Sequence, residues 1–463
     1  MWCRRCSRSP VRIEPILIGD RRPPAGISIA VRVTGEVGMV SGHRGGMTST
    51  TARSVSDAGL DEIFTPIYER IAAGAVARET DRRLAYEEVG WLREARFGAL
   101  RVPVEYGGFG AGVRQLFRQL IELAAAESNL PQALRVHWAF VEDQLLAEEG
   151  PHRERWLRVV AEGTLVGNAI TEPGVGAVDR YRTRLSPEGD GWLLNGVKYY
   201  STGSLYADHI LVAADRDGER VGLLVDANAD GVRQHDDWDG FGQRLTASGT
   251  TEFIDVAVRD EQILGPGYGA AGPTYSTAYL QLVQLAVLAG IAQRAERDVR
   301  EWVGQRTRGY THSAADLPRH DPLVQQVIGR LSAAAFSARA TVLAVAELLD
   351  DVLAAGAKDE KALVEVELSA ARAQLAVIDT VLPATSELFE VGGASITSER
   401  LRLDRHWRNA RTISVHNPAI QKARAIGDHL LNGADLPFAW SAGERNTAAD
   451  RYTVAGSAGP AAR

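Results

Sequence analysis

"GWLLNGVKYYSTG", residues 191–203, decides how the rest of the chain is read. β-Branched, aromatic and apolar residues crowd between glycines, the composition of a strand rather than a helix. "HILVAAD" (209–215), "RVGLLVDA" (220–227) and "TTEFIDVAV" (250–258) repeat that texture. Residues 164–270 therefore read as a middle antiparallel β-barrel domain, with tight turns at "EGDG" (188–191) and "NG" (195–196).

Outward from this block the period changes. "LDEIFTPIYERIAAGAVA" (60–77) and "LFRQLIELAAAE" (116–127) space apolar residues by three and four, so 47–163 reads as an N-terminal helical domain. "VPVEYGGFGAG" (102–112) is a glycine-broken loop within it. Long helices return in 271–437: "YLQLVQLAVLAGIAQRAERDVREWVGQR" (279–306), then 322–354 and 358–389, a C-terminal four-helix bundle. Residues 1–46 are Arg-rich and aperiodic, a disordered or spurious extension with Met47 as a candidate start, and 438–463 read as a flexible tail. The fold class is thus α+β. Helix–β–helix order excludes a doubly wound nucleotide fold, where strands and helices alternate.

Composition narrows the function classes. A net charge of -7 gives no reason to expect nucleic acid or an anionic membrane. No run of 18 or more apolar residues marks a membrane span. The only cysteines, Cys3 and Cys6, lack the second pair that a zinc site needs, so no metal is expected, and a reducing cytoplasm fits.

Two segments carry the candidate chemistry. "NAITEPGVG" (168–176) puts Asn168 and Thr171 where a strand enters a glycine-rich loop, which is either a close approach to a planar ligand or a plain turn. "NGVKYYSTGS" (195–204) exposes Thr202 at a strand end. Farther on, "RTISVHNPAIQ" (411–421) sets His416 one residue before a helix start at Asn417-Pro418.

In this order these segments resemble the acyl-CoA dehydrogenase superfamily over roughly 55–435, together with "TASGTTEFIDVAVRDEQILG" (246–265) and "ELFEVGGASITSERLRLDRHWRNARTISVHNPAIQKARAIGDHLLNG" (387–433). The resemblance implies that Thr171 and Thr202 contact the flavin ring edge with Asn168 beside it. It implies further that Arg308, in "QRTRGY" (305–310), binds a flavin phosphate, although a solvated helix-end charge would explain Arg308 equally plainly. The dehydrogenases need a glutamate to remove a proton from an acyl thioester. Where most carry it, this chain has His416-Asn417-Pro418-Ala419, and an amide accepts no proton. Nor does any acidic residue occur between Glu261 and Glu296, where other members carry theirs.

"DRHWRNART" (404–412) with the following Val415-His416-Asn417-Pro418, and "KYYSTGSLYADHILVA" (198–213), instead resemble the reduced-flavin-dependent monooxygenases, such as dibenzothiophene monooxygenase and the sulfur-acquisition oxidoreductases. That branch implies FMN, bound as FMNH2 from a separate NAD(P)H-dependent flavin reductase. It implies O2 chemistry through a flavin C4a-(hydro)peroxide on a small apolar or sulfur-containing substrate, and assembly as a homotetramer. His416 would be a catalytic histidine, its proton affinity lowered by the following helix's dipole. His137, in "LRVHWAFVEDQ" (134–144), is either a second catalytic histidine or one bonded to a backbone carbonyl. Departures are Ile413, where the branch often has a histidine, and Ser395, where it often has an arginine. The alternatives are an FAD-dependent acyl-CoA dehydrogenase with an unexpected base, and a flavin-less scaffold. "NLPQALRVHWAF" (129–140), "YYSTGSLYAD" (199–208) and "HDDWDGFGQR" (235–244) are candidate borders of the substrate pocket.

Overall fold

The computed structural model describes residues 54–172, 181–266 and 273–437. The expected extension at 1–46, the tail at 438–463 and the Pro173–Gly176 part of the glycine-rich loop lie outside the described residues.

Seven helices come first: α1 (Asp57–Ala73), α2 (Ala75–Asp81), α3 (Tyr86–Glu94), α4 (Val113–Ala126), α5 (Asn129–Ala133), α6 (Arg135–Leu146) and α7 (Pro151–Ala161). Ser56 caps α1, its hydroxyl accepting from the Gly59 amide. Eight strands follow: β1 (Val166–Ala169), β2 (Arg184–Glu188), β3 (Gly191–Lys198), β4 (His209–Arg216), β5 (Glu219–Asp226), β6 (Val232–Gln234), β7 (Thr251–Val258) and β8 (Ile263–Pro266). They form one sheet in the order β6-β7-β3-β2-β4-β5-β8, with β1 paired to β4. β1 and β2 both run parallel to β4, so the sheet is mixed rather than antiparallel throughout. Only a hairpin forces antiparallel pairing, and β1 enters from α7 instead.

The turn at 188–191 is such a hairpin, with Gly189 at φ +56°. The turn expected at Asn195-Gly196 is a bulge within β3, where the register against β7 shifts between Leu194 and Gly196. Asn195 and Asp255 exchange hydrogen bonds across it.

The C-terminal helices are α8 (Tyr275–Gly304), α9 (Pro322–Ala354), α10 (Glu360–Glu387), α11 (Asp404–Ser414) and α12 (Ala419–Asn432). α8 is apolar on all sides through "LVQLAVLAGIA" (282–292), and every one of those residues is buried, as a helix packed on every face must be. By length and composition both α8 and α9 could cross a membrane. The apolar window of α8 is 89% buried inside the protein and that of α9 only 33%.

α12 is capped one residue later than the expected Asn417. Pro418 occupies the cap position, and the Asn417 side chain turns inward to donate to Gln281 Oε1 at 2.6 Å. A buried partner on α8 outcompetes capping.

α4 crosses α8 at Gly290, where a Cβ would stand 2.3 Å from Ala124 Cβ and 2.6 Å from the Ile121 carbonyl oxygen. Gly290→Val should therefore destabilise the protein by about 1–3 kcal/mol through overpacking. Denaturant titration checks it, and an unchanged midpoint would contradict so close a crossing.

Candidate active site

The wall between sheet and helices is built around Lys198, at the end of β3. Its ammonium is wholly buried, 2.9 Å from Glu172 Oε1 and 3.0 Å from the Ile170 carbonyl, with the Tyr181 ring 3.9 Å away. Burial pulls the Lys198 ammonium down to about 8. Burial would raise the Glu172 carboxyl, but the Arg182 amide, Lys198 and the Thr183 amide outweigh it and hold it below its usual range. With these segments tied, the Tyr199 amide donates to the Thr171 carbonyl, and the ends of β1 and β3 lie side by side.

A cavity of about 470 Å³ opens there. Asn168, Thr171 and Thr202 line one side, Gln132, Arg135 and Leu280 come from the helices, and His416 and Ile413 from the α11 end. Three of the expected flavin contacts and one expected catalytic residue are therefore gathered around one space. Asn168 donates to the Tyr200 carbonyl at 3.2 Å, while its buried Oδ1 has no hydrogen-bond partner among the described residues. The buried side-chain oxygens of Gln132, Gln243 and Thr412 share that condition on the same walls. Buried polar atoms without partners are costly, so this cavity suits a ligand with many polar atoms, as a flavin has.

His416 lies in the turn between α11 and α12. Its side chain is exposed to the cavity space, and the surrounding walls and then the positive charge of Arg135 lower the proton affinity of its imidazole. Its Nδ1 is 3.3 Å from Asn417 Oδ1, and Asn417 Nδ2 is committed to Gln281, so Nδ1–H donates and Nε2 is the ring's acceptor.

His137 lies away from this space. It is fully buried on α6 and does not line the cavity. Nε2–H donates to the Gly98 carbonyl at 2.9 Å, Nδ1 accepts from the Val166 amide at 3.3 Å, and burial holds the ring down to about 4. One nitrogen ties α6 to the turn at 97–99 and the other ties it to β1, the backbone-bonded alternative weighed for this residue. Arg308, exposed beyond the end of α8, is likewise absent from the cavity lining of a single chain.

Residue patterns did not single out Gln132, Arg135, Gln243, Thr246 or Ser248. All five lie in or just after two of the three segments named as candidate pocket borders, 129–140 and 235–244, and only their aromatic neighbours gave a signal. Tyr200 and Trp238 pair edge to face at 5.8 Å on the cavity wall. Among the described lining residues none is Asp or Glu.

The "DRHWRNART" segment holds the last wall. Arg405 and His406 bind Asp298 on α8, Arg408 binds Glu79, and Asn409 Oδ1 accepts from the Gln243 amide at 2.7 Å. Burial and then Arg405 hold His406 down to about 4.

The acyl-CoA dehydrogenase middle-domain family matches residues 167–256, and the acyl-CoA dehydrogenase C-terminal-domain family matches residues 282–420. FMN-bound TdsC from Paenibacillus sp. A11-2 has a similar structure, with a TM-score of 0.75 and 25% identity, covering 81% of this chain and 98% of that one. In order along one fold, residues 167–256 and 282–420 are thus the middle and C-terminal domains of the acyl-CoA dehydrogenase families. A dibenzothiophene monooxygenase of Mycolicibacterium goodii is 28% identical over 401 residues, covering 83% of this chain and 96% of that one. The "Probable FMNH2-dependent monooxygenase SfnC" of Pseudomonas putida is 29% identical over 381 residues, covering 78% of this chain and 92% of that one. Both of these relatives carry monooxygenase names.

His137 and His406 titrate lower folded than unfolded, so the unfolded chain binds more protons between about pH 6.5 and 4. Stability should be complete above pH 6.5 and fall as the pH drops through that window, by up to about 1.4 kcal/mol per pH unit for each histidine. Urea titrations at pH 7.5 and 5 test this, and His137→Gln should flatten the slope.

Proposed function

We propose that this chain is the oxygenase component of a two-component system. It binds FMN as FMNH2, receives it from a separate NAD(P)H-dependent flavin reductase in the cytoplasm, and uses O2 to oxygenate a small apolar or sulfur-containing substrate. One observation carries the reading: the cavity presents a neutral imidazole and, among the described lining residues, no carboxylate, which suits oxygen activation better than thioester desaturation. Bound reduced FMN supplies the electrons that activate O2.

The chain's residues then have distinct tasks. Thr171, Thr202 and Asn168 hold the ring edge. His416 accepts a hydrogen bond at Nε2 while Asn417 keeps Nδ1 protonated. Arg135 holds the ring in its neutral form at neutral pH. Tyr200 and Trp238 present aromatic faces to an apolar substrate. Arg308 would grip the flavin phosphate of another copy, since its own cavity lies elsewhere.

Assembly as a homotetramer fits the surface. α9 exposes Leu323 and Phe336, and α12 exposes Ile420, Leu430 and Leu431, each more than 60% accessible. Phe336→Arg should shift the sedimentation profile to smaller species, and an unchanged profile would remove α9 from the interface.

The deciding experiment supplies NADH and a flavin reductase and follows oxygen-dependent product by mass spectrometry. Stoichiometric FAD in the purified protein, reduced by an acyl-CoA, would overturn the reading in favour of a dehydrogenase. His416→Ala should keep the unfolding midpoint within about 0.5 kcal/mol while more of the reduced flavin is lost as hydrogen peroxide. Unchanged coupling between oxygen uptake and product would exclude the proton role.

A further inference from the structure

α11 ends at Ser414 and α12 begins at Ala419, so His416 stands in the turn 415–418. The amides of Val415 and His416 both reach back to the Ile413 carbonyl, and both residues are exposed. One carbonyl shared by two amides at a helix end is a weak anchor, of the kind that frays. Stronger ties come from the bundle. Gln374 on α10 donates from Nε2 to the Asn417 carbonyl at 2.7 Å, and Asn417 Nδ2 donates to Gln281 Oε1 on α8 at 2.6 Å.

Both glutamines are almost wholly buried, so water does not readily replace either bond. Neither is among the described residues that line the cavity. A carbonyl pairs only with a donor, so the Gln374 amide is held one way round. Its Oε1 is then left buried with no hydrogen-bond partner among the described residues. An apolar side chain of the same length would spare the fold that cost. The bond to Asn417 is what a glutamine adds there.

Resting on the role proposed for His416, we propose that Gln281 and Gln374 are positioning residues that aim its imidazole into the cavity. They act through Asn417, the next residue: Gln374 fixes its backbone and Gln281 its side chain. Asn417 Oδ1 also stands 3.3 Å from His416 Nδ1, so the same residue steers the ring. Two helices of the bundle thus set where the imidazole stands.

Gln281→Met and Gln374→Met keep side-chain length and remove one tie each. The full chain is supplied with NADH, FMN, a flavin reductase and dibenzothiophene as the probe substrate. Each variant should raise the ratio of hydrogen peroxide to oxygenated product about 2- to 10-fold. In a His416→Ala background the same substitutions should add nothing, because the group they aim is gone. A merely structural glutamine would add its effect in both backgrounds. Gln281→Leu and Gln374→Leu repeat the test with a second side chain, and melting curves control for folding.

A second readout needs no substrate. In imidazole 15N NMR, the His416 signal is identified by its loss in His416→Ala. Wild-type His416 should titrate below the ordinary histidine range, and His416 in either glutamine variant closer to it. Wild-type coupling and titration in both variants overturn the inference, as do equal peroxide gains with and without His416. Where His416→Ala keeps wild-type coupling, or no product forms, the proposed chemistry fails, and the titration shift alone decides the positioning.

Discussion

Lys198 with Glu172 is the contact on which the site depends. Removing two charges from water is expensive, and such pairs seldom add net stability over a well-packed apolar substitute. Here neighbouring segments supply further hydrogen bonds to both groups. Lys198 also reaches the Ile170 carbonyl, and Glu172 also takes the Arg182 and Thr183 amides. The pair thereby joins the exit of β1, the entry to β2 and the exit of β3. Thr171 and Thr202 sit just beyond two of those points, and their spacing follows from it.

The opposite wall depends on α11. Asp298 on the core helix takes both Arg405 and His406, which sets the rotation of α11 about its own axis. Asn409, one turn on, fixes the backbone at Gln243, and Thr412, Ile413 and His416 follow along the cavity. The segment that resembles the monooxygenase branch is therefore scaffolding in most of its residues. Its polar side chains from Arg405 to Asn409 bond to the protein, and the cavity contacts begin at its last residue, Thr412.

Much of this was legible in sequence because it rests on periodicity. The long helices 322–354 and 358–389 appear as Pro322–Ala354 and Glu360–Glu387, since three- and four-residue spacing reports directly on a buried face. Asn168, Thr171, Thr202 and His416 converge as their motifs imply. Parallel pairing of β1 and β2 with β4 was not legible, because strand direction depends on the connection rather than on composition. His137 was ambiguous for a related reason: a histidine's role is set by what faces its two nitrogens. Gly98 and Val166 are 39 and 29 residues away in the chain. Gln132, Gln243 and Ser248 have no periodic signature, being polar residues whose burial only the assembled walls create.

Tyr200 shows where the fold accepts local strain for the sake of the site. Its φ of +55° is a left-handed conformation that costs a non-glycine residue about 1–2 kcal/mol. In that conformation its carbonyl receives the Thr202 amide and Asn168 Nδ2 together, and its half-exposed ring stands against Trp238 at the cavity. A glycine would adopt the same φ without strain but would leave the aromatic wall missing. The residue thus does two jobs that a relaxed alternative would separate. Strain at this point is what lets a backbone acceptor and an aromatic surface face one small cavity from a single position.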